Sequence, residues 1–137
     1  MFAALSGDWH PMHTDREAAR ESQYGERIAH GLLTLSAGLN LLFRHGGFGN
    51  GFLPSSITAL TALDRVQFKL PVRIGDTLRL RAEIAATRPM FERQGLIETR
   101  FDVINQRDES VLTGRFSLLA ASREPLDRHG AHSVAGS

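Results

Sequence analysis

The sequence predicts an α+β domain in which a long, central apolar helix lies against a curved antiparallel sheet. Three features lead there: an apolar stretch with helical spacing comes first, segments of strict two-residue alternation follow it, and the latter are joined by short polar connections. A chain of 137 residues with 42% hydrophobic composition can bury one compact core of this kind.

The elements follow in chain order. Phe2-Ala3-Ala4-Leu5 runs directly into Ser6-Gly7-Asp8, as though a helix had lost its beginning, so the start is expected to be truncated. Thr14-Asp15-Arg16-Glu17 has the form of a capping box and predicts a short helix from about Asp15 to Ser22. After a loop bracketed by Gly25 and His30-Gly31, Leu32, Leu35, Leu39 and Leu42 recur at the spacing of one helical face. Leu33, Leu41 and Phe43 widen that stripe almost all round, so a helix over about Gly31 to Arg44 is expected to be buried on most sides. Gly46 to Gly51 then reads as a flexible loop.

From there the period changes to two. Leu78, Leu80, Ala82 and Ile84 alternate with Thr77, Arg79, Arg81 and Glu83, the pattern of a strand with one wet face. Ile97 to Val103 and Leu112 to Ala120 repeat it, and Ile57 to Leu70, ending at Pro71, predicts a fourth strand. Ile74-Gly75-Asp76 supplies one turn and Gln106 to Glu109 another. The domain is therefore expected over residues 1–121, with a disordered tail over 122–137.

Composition excludes several function classes. With 16 Lys+Arg against 15 Asp+Glu there is no excess charge to hold a nucleic acid or an anionic membrane surface, and small molecules are the better partners. The absence of cysteine removes disulfides, thiolate nucleophiles and Cys-type zinc sites, and is compatible with a cytoplasmic location. No apolar run approaches the roughly 20 residues needed to span a bilayer.

The densest cluster of ionisable groups is Ser6 to Asp15, a stretch stiffened by Pro11. Its string Gly7-Asp8-Trp9-His10-Pro11-Met12-His13-Thr14-Asp15 is followed by Tyr24-Gly25-Glu26-Arg27-Ile28-Ala29-His30-Gly31. Together these closely resemble the hydratase-2 motif of MaoC-like (R)-specific enoyl-CoA hydratases, and Phe68 to Val72 with Gly75 to Leu78 resembles the strand and turn that follow the family's central helix. The resemblance covers most of Phe2 to Ala121 and implies a hot-dog fold. It matches Asp8 and His13 to the catalytic dyad, and Gly31 to the residue whose backbone N–H binds the thioester carbonyl. His30 is expected to hold the loop before the helix beside the substrate, and Ser36 to face substrate from the less apolar side of the helix. By the same resemblance the substrate is an acyl thioester, with CoA favoured over acyl carrier protein as its thiol, no dissociable cofactor or metal is expected to take part, and the subunits are expected to form a homodimer or a dimer of dimers.

The chemistry suits these residue types. Adding water to an enoyl thioester needs a base for the water that attacks C3, a proton for C2, and stabilisation of the enolate oxygen between. A helix N-terminus presents unpaired N–H groups and partial positive charge, and a glycine there permits close approach. The chain departs from the family in two ways: His10 stands where Asn is usual, making a structural amide a titratable imidazole, and the strand that commonly precedes the motif is expected to be missing. Bland readings stand beside these: Asp8 as a turn former, His13 as a half-buried histidine bonded to backbone, Gly31 as a helix-start glycine, His10 as structural, Trp9 and Tyr24 as packing residues. A metal held by Asp8, His10, His13 and Asp15 lacks supporting ligand spacing. A thioesterase and a non-catalytic acyl-binding protein on the same fold are the alternatives in function.

Overall fold

The computed structural model describes residues 1–44, 56–91 and 93–121; the expected Gly46 to Gly51 loop and the C-terminal tail fall outside them. Four helices precede four strands: α1 (Phe2–Ser6), α2 (Pro11–Thr14), α3 (Arg16–Glu21), α4 (Gly31–Arg44), β1 (Ile57–Phe68), β2 (Arg79–Pro89), β3 (Gln94–Ile104) and β4 (Ser110–Ala121). The strands form one antiparallel sheet in the order β1-β4-β3-β2. Because β1 and β2 occupy opposite edges, residues 69–78 must cross the end of the sheet between them. That crossover is tied to β4, where Lys69 N–H donates to the Val111 carbonyl at 2.9 Å, and to the loop leading into α4, where Ala29 N–H donates to the Val72 carbonyl at 2.9 Å.

The alternation read from the sequence is the alternation of the sheet. Val103 pairs with Leu112, Phe101 with Gly114, Thr99 with Phe116 and Ile97 with Leu118, so these residues share one face. That face is the core, and Leu39, Leu42, Val66 and Leu80 pack on it.

Two expectations are corrected by the helices. Asp15, not Thr14, caps α3: its carboxylate accepts from Glu17 N–H at 2.9 Å and Ala18 N–H at 3.1 Å, while the Thr14 hydroxyl donates back to the Trp9 and His10 carbonyls. A carboxylate one residue closer to the helix out-competes the hydroxyl for the same orphan donors. The helix α4, expected to be buried on most sides, is not. Thr34, Leu35 and Gly38 are buried, but Leu32 is 61% exposed, because the sheet packs against one face of the helix and Leu32 lies off it.

Gly38 lets α4 approach β3. A Cβ built there would stand 2.5 Å from Val103 Cγ2, in the middle of the core where the β-branched side chain has little room to turn. Gly38→Ala is expected to destabilise the domain by about 1–3 kcal/mol through overpacking, despite the better helix propensity of alanine. Urea denaturation checks this, and a gain in stability would show that helix and sheet are looser than described.

Candidate active site

The N-terminal segment is held to the head of α4 by a short series of backbone bonds. Gly7 ends α1 in the left-handed region, with φ 79°, and its N–H donates to the Ala3 carbonyl. The chain then turns through Asp8, whose carbonyl accepts from His30 Nε2–H at 2.9 Å. A carbonyl can only accept, so His30 carries its proton on Nε2. His30 is 7% exposed, its ring lies 4.0 Å from that of His13 in a stacked arrangement and 4.9 Å from Phe2, and its own carbonyl receives the Thr34 N–H at the start of α4. This buried imidazole therefore ties Asp8, His13 and the helix head together.

His10 turns the chain into α2. Its N–H donates to Asp8 Oδ1 at 3.1 Å, and its Nδ1 accepts from Met12 N–H at 3.2 Å, capping the short helix that Pro11 opens. The ring nitrogen thus does what an asparagine side-chain oxygen does at a helix cap, which explains how imidazole fits where the related motif has an amide. His10→Asn is expected to leave stability nearly unchanged, whereas His10→Ala is expected to cost about 0.5–2 kcal/mol. Thermal unfolding of the two variants side by side checks this, and equal losses would show that the cap is not what the ring contributes.

His13 sits on α2 with Nδ1 at 2.9 Å from the Ile28 carbonyl, so Nδ1 donates and Nε2 keeps its lone pair. One side-chain ligand atom from each of Asp8, His13 and His30 falls within a set no more than 4.8 Å apart. That spacing is short enough for one water to hydrogen-bond to both Asp8 and His13, since two bonds of about 2.8 Å span more than this. The same triad has the composition of a cation site, but the His30 nitrogen facing Asp8 is committed as a donor to a carbonyl, which opposes a metal there.

Beside His13 opens a cavity of ≈ 290 Å³ lined by Ile28, Gly31, Thr34, Phe68 and Lys69 among others. Gly31 is the first residue of α4, and a Cβ there would come within 2.9 Å of Phe68 Cε1, so the glycine leaves room for the Phe68 ring against the helix head. Among the residues singled out from the sequence, His13 and Gly31 line this cavity together. Asp8 approaches His13 without lining it, and its side chain is 51% exposed. Ser36 lies on the exposed side of α4 and does not line the cavity. Trp9, expected to pack, is instead 62% exposed in the turn between α1 and α2. Tyr24 lines the cavity wall. Ile28 and Phe68 were not singled out from the sequence as functional residues; an apolar residue whose carbonyl holds a histidine carries no signal in its side chain.

The class of domain is thus an antiparallel sheet carrying a helix, with Asp8, His13 and His30 clustered beside the N-terminal end of that helix. The MaoC-like domain model matches residues 1–106, and the chain belongs to that dehydratase family. It is 32% identical to the 3-hydroxybutyryl-CoA dehydratase of Methylorubrum extorquens over 129 residues, which is 92% of this chain and 73% of that protein. It is 35% identical to the (R)-specific enoyl-CoA hydratase of Aeromonas caviae over 88 residues, 64% of this chain and 59% of the other. Among solved structures, the monoamine oxidase regulatory protein from Archaeoglobus fulgius superposes with a TM-score of 0.81 at 35% identity, covering 90% of this chain and 79% of that one. The (R)-hydratase of A. caviae superposes at 0.67 with 29% identity, covering 85% and 80%. These neighbours give the fold as a hot dog, and the family places the chain among the hydro-lyases.

Proposed function

We propose that this protein adds water to an enoyl-CoA thioester, or removes it from the 3-hydroxyacyl product, with Asp8 and His13 as the acid/base pair. The observation that carries this reading is the Nδ1–H bond of His13 to the Ile28 carbonyl, which leaves Nε2 with its lone pair on a ring that clusters with Asp8 and lines one cavity with Gly31. One water held between the Asp8 carboxylate and His13 Nε2 attacks C3, and its proton passes through the pair to C2 on the same face. The thioester oxygen, which gains charge as the enolate forms, lies against the Gly31 N–H, where the helix N-terminus supplies an unpaired donor and partial positive charge. A donor of this kind is worth about 10²–10³ in rate in other enzymes. Dehydration is the same path reversed, and neither direction draws on a dissociable cofactor.

CoA is the proposed carrier, supported by the names of the Methylorubrum and Aeromonas relatives. A homodimer is also proposed: Leu60 and Leu63 on edge strand β1 are 54% and 44% exposed although they pair with core residues Leu118 and Phe116, and a second copy would cover them.

The test is loss of the enoyl absorbance of crotonyl-CoA and longer enoyl-CoAs, followed by chiral analysis of the 3-hydroxyacyl product. The (R) product is expected without release of free thiol. Free thiol would instead support a thioesterase, and binding without turnover an acyl-binding protein.

A further inference from the structure

His13 depends on a carbonyl that another part of the chain holds in place. Ile28 lies in the segment 22–29, which turns at Gly25 with φ 73° and would by itself lose much conformational freedom on ordering. Beside the Ile28 N–H, which donates to the Met12 carbonyl of α2 at 3.4 Å, three contacts from the crossover between β1 and β2 pin that segment. Ile28 pairs with Arg73 in an isolated antiparallel bridge, and Ala29 N–H reaches the Val72 carbonyl. The Arg73 guanidinium donates from Nη1 to the Tyr24 carbonyl at 2.7 Å and to Glu26 Oε1 at 3.0 Å, so one side chain clasps both sides of the Gly25 turn. Arg73 is itself fixed from behind. Its N–H donates to Asp76 Oδ2 at 2.8 Å, and Asp76 Oδ1 accepts from Gln106 Nε2 at 2.7 Å in the β3–β4 turn. The Asp76 side chain is only 5% exposed, and the Gln106 amide and the Arg73 N–H hold its carboxyl below the usual carboxylate range, so it stays an acceptor.

We infer that Arg73 is a positioning residue: by clasping residues 24–26 and pairing with Ile28 it holds the Ile28 carbonyl that sets the tautomer of His13. Arg73 does not line the cavity, and its charge is spent on Glu26, so it acts through the backbone rather than on substrate. A guanidinium suits the task because its rigid fork can serve a carbonyl and a carboxylate at once. Without the clasp the segment relaxes, His13 loses its acceptor part of the time, and the Nε2–H tautomer, which has no lone pair toward the cavity, becomes populated.

The experiment is long-range ¹H–¹⁵N correlation NMR of the histidine rings in the whole chain, with the His13 signals assigned by their loss in His13→Gln. The wild type is expected to show the Nδ1–H tautomer at His13, Arg73→Met a mixture of tautomers, and Arg73→Lys a partial return. The kinetic arm rests on the hydratase reading: kcat for enoyl-CoA hydration should fall about 3–10-fold in Arg73→Met with KM little changed, the size of one hydrogen bond. Should Arg73→Met not fold, Glu26→Ala removes the outer half of the clasp and should move the His13 spectrum in the same direction by less. A His13 spectrum unchanged in the folded variant overturns the inference, as does an Nε2–H tautomer in the wild type. If the wild type hydrates no enoyl thioester but the tautomer shifts as described, the hydratase reading fails and the positioning role stands.

Discussion

His13→Ala is expected to reduce enoyl-CoA hydration by about 10²–10⁴-fold while leaving the fold intact. The imidazole is half-buried, it borders the cavity, and its one hydrogen bond is to a backbone carbonyl that water can satisfy in the variant. Asp8→Asn should fall in the same range for a different reason. The amide still accepts from His10 N–H through its oxygen, so the turn survives, but it can no longer take part in moving a proton. The two losses should not add, because in the proposed mechanism both groups hold the same water. Single-turnover hydration of crotonyl-CoA by the two variants and their double mutant measures this. If both singles retain wild-type rates, the acid/base pair lies elsewhere; if the losses multiply fully, the residues act at separate steps.

The second large effect concerns stability. Phe101→Ala is expected to cost about 3–5 kcal/mol, a large share of the roughly 5–15 kcal/mol available to a domain of this size. The Phe101 ring is 3% exposed, stands 5.9 Å from that of Phe116, and occupies the space a Gly114 side chain would take, with Cζ 2.6 Å from a Cβ built there. Gly114→Ala alone is therefore also expected to destabilise, by about 1–3 kcal/mol through overpacking. Combined with Phe101→Ala, the added methyl enters the vacated space, so the double variant should be more stable than the sum of the singles predicts. Urea titrations read at constant m give all three values, and thermal midpoints should drop on the order of 10–20 °C for Phe101→Ala. Strict additivity would show that ring and glycine do not share a site.

Much of this architecture is legible in one dimension because its signals are local. Alternation at Ile97 to Val103 and at Leu112 to Ala120 reports a strand with one covered face whatever covers it, and both segments lie in neighbouring strands with those residues inward. The helix over Gly31 to Arg44 follows from its spacing, and the string from Gly7 to Asp15 with His30-Gly31 marks the family before any contact is known. The exposed side of α4 was not legible. Leu32 and Leu35 have the same character, and which of them is covered depends on where the sheet lies.

The same division runs through the site. The resemblance of the motif string to the hydratase-2 motif singles out Asp8, His13 and Gly31, whose types suit the proposed acid/base chemistry. Their meeting point is a matter of long-range apposition: His30 reaches back to the Asp8 carbonyl, the Ile28 carbonyl accepts from His13 Nδ1–H, and Arg73, from far along the chain, pairs with Ile28. Periodicity is set by neighbours a few residues apart and can be read in sequence. A tautomer set by a carbonyl, and a carbonyl held by a crossover, follow from how the β1–β2 connection passes the helix head, which no local pattern encodes.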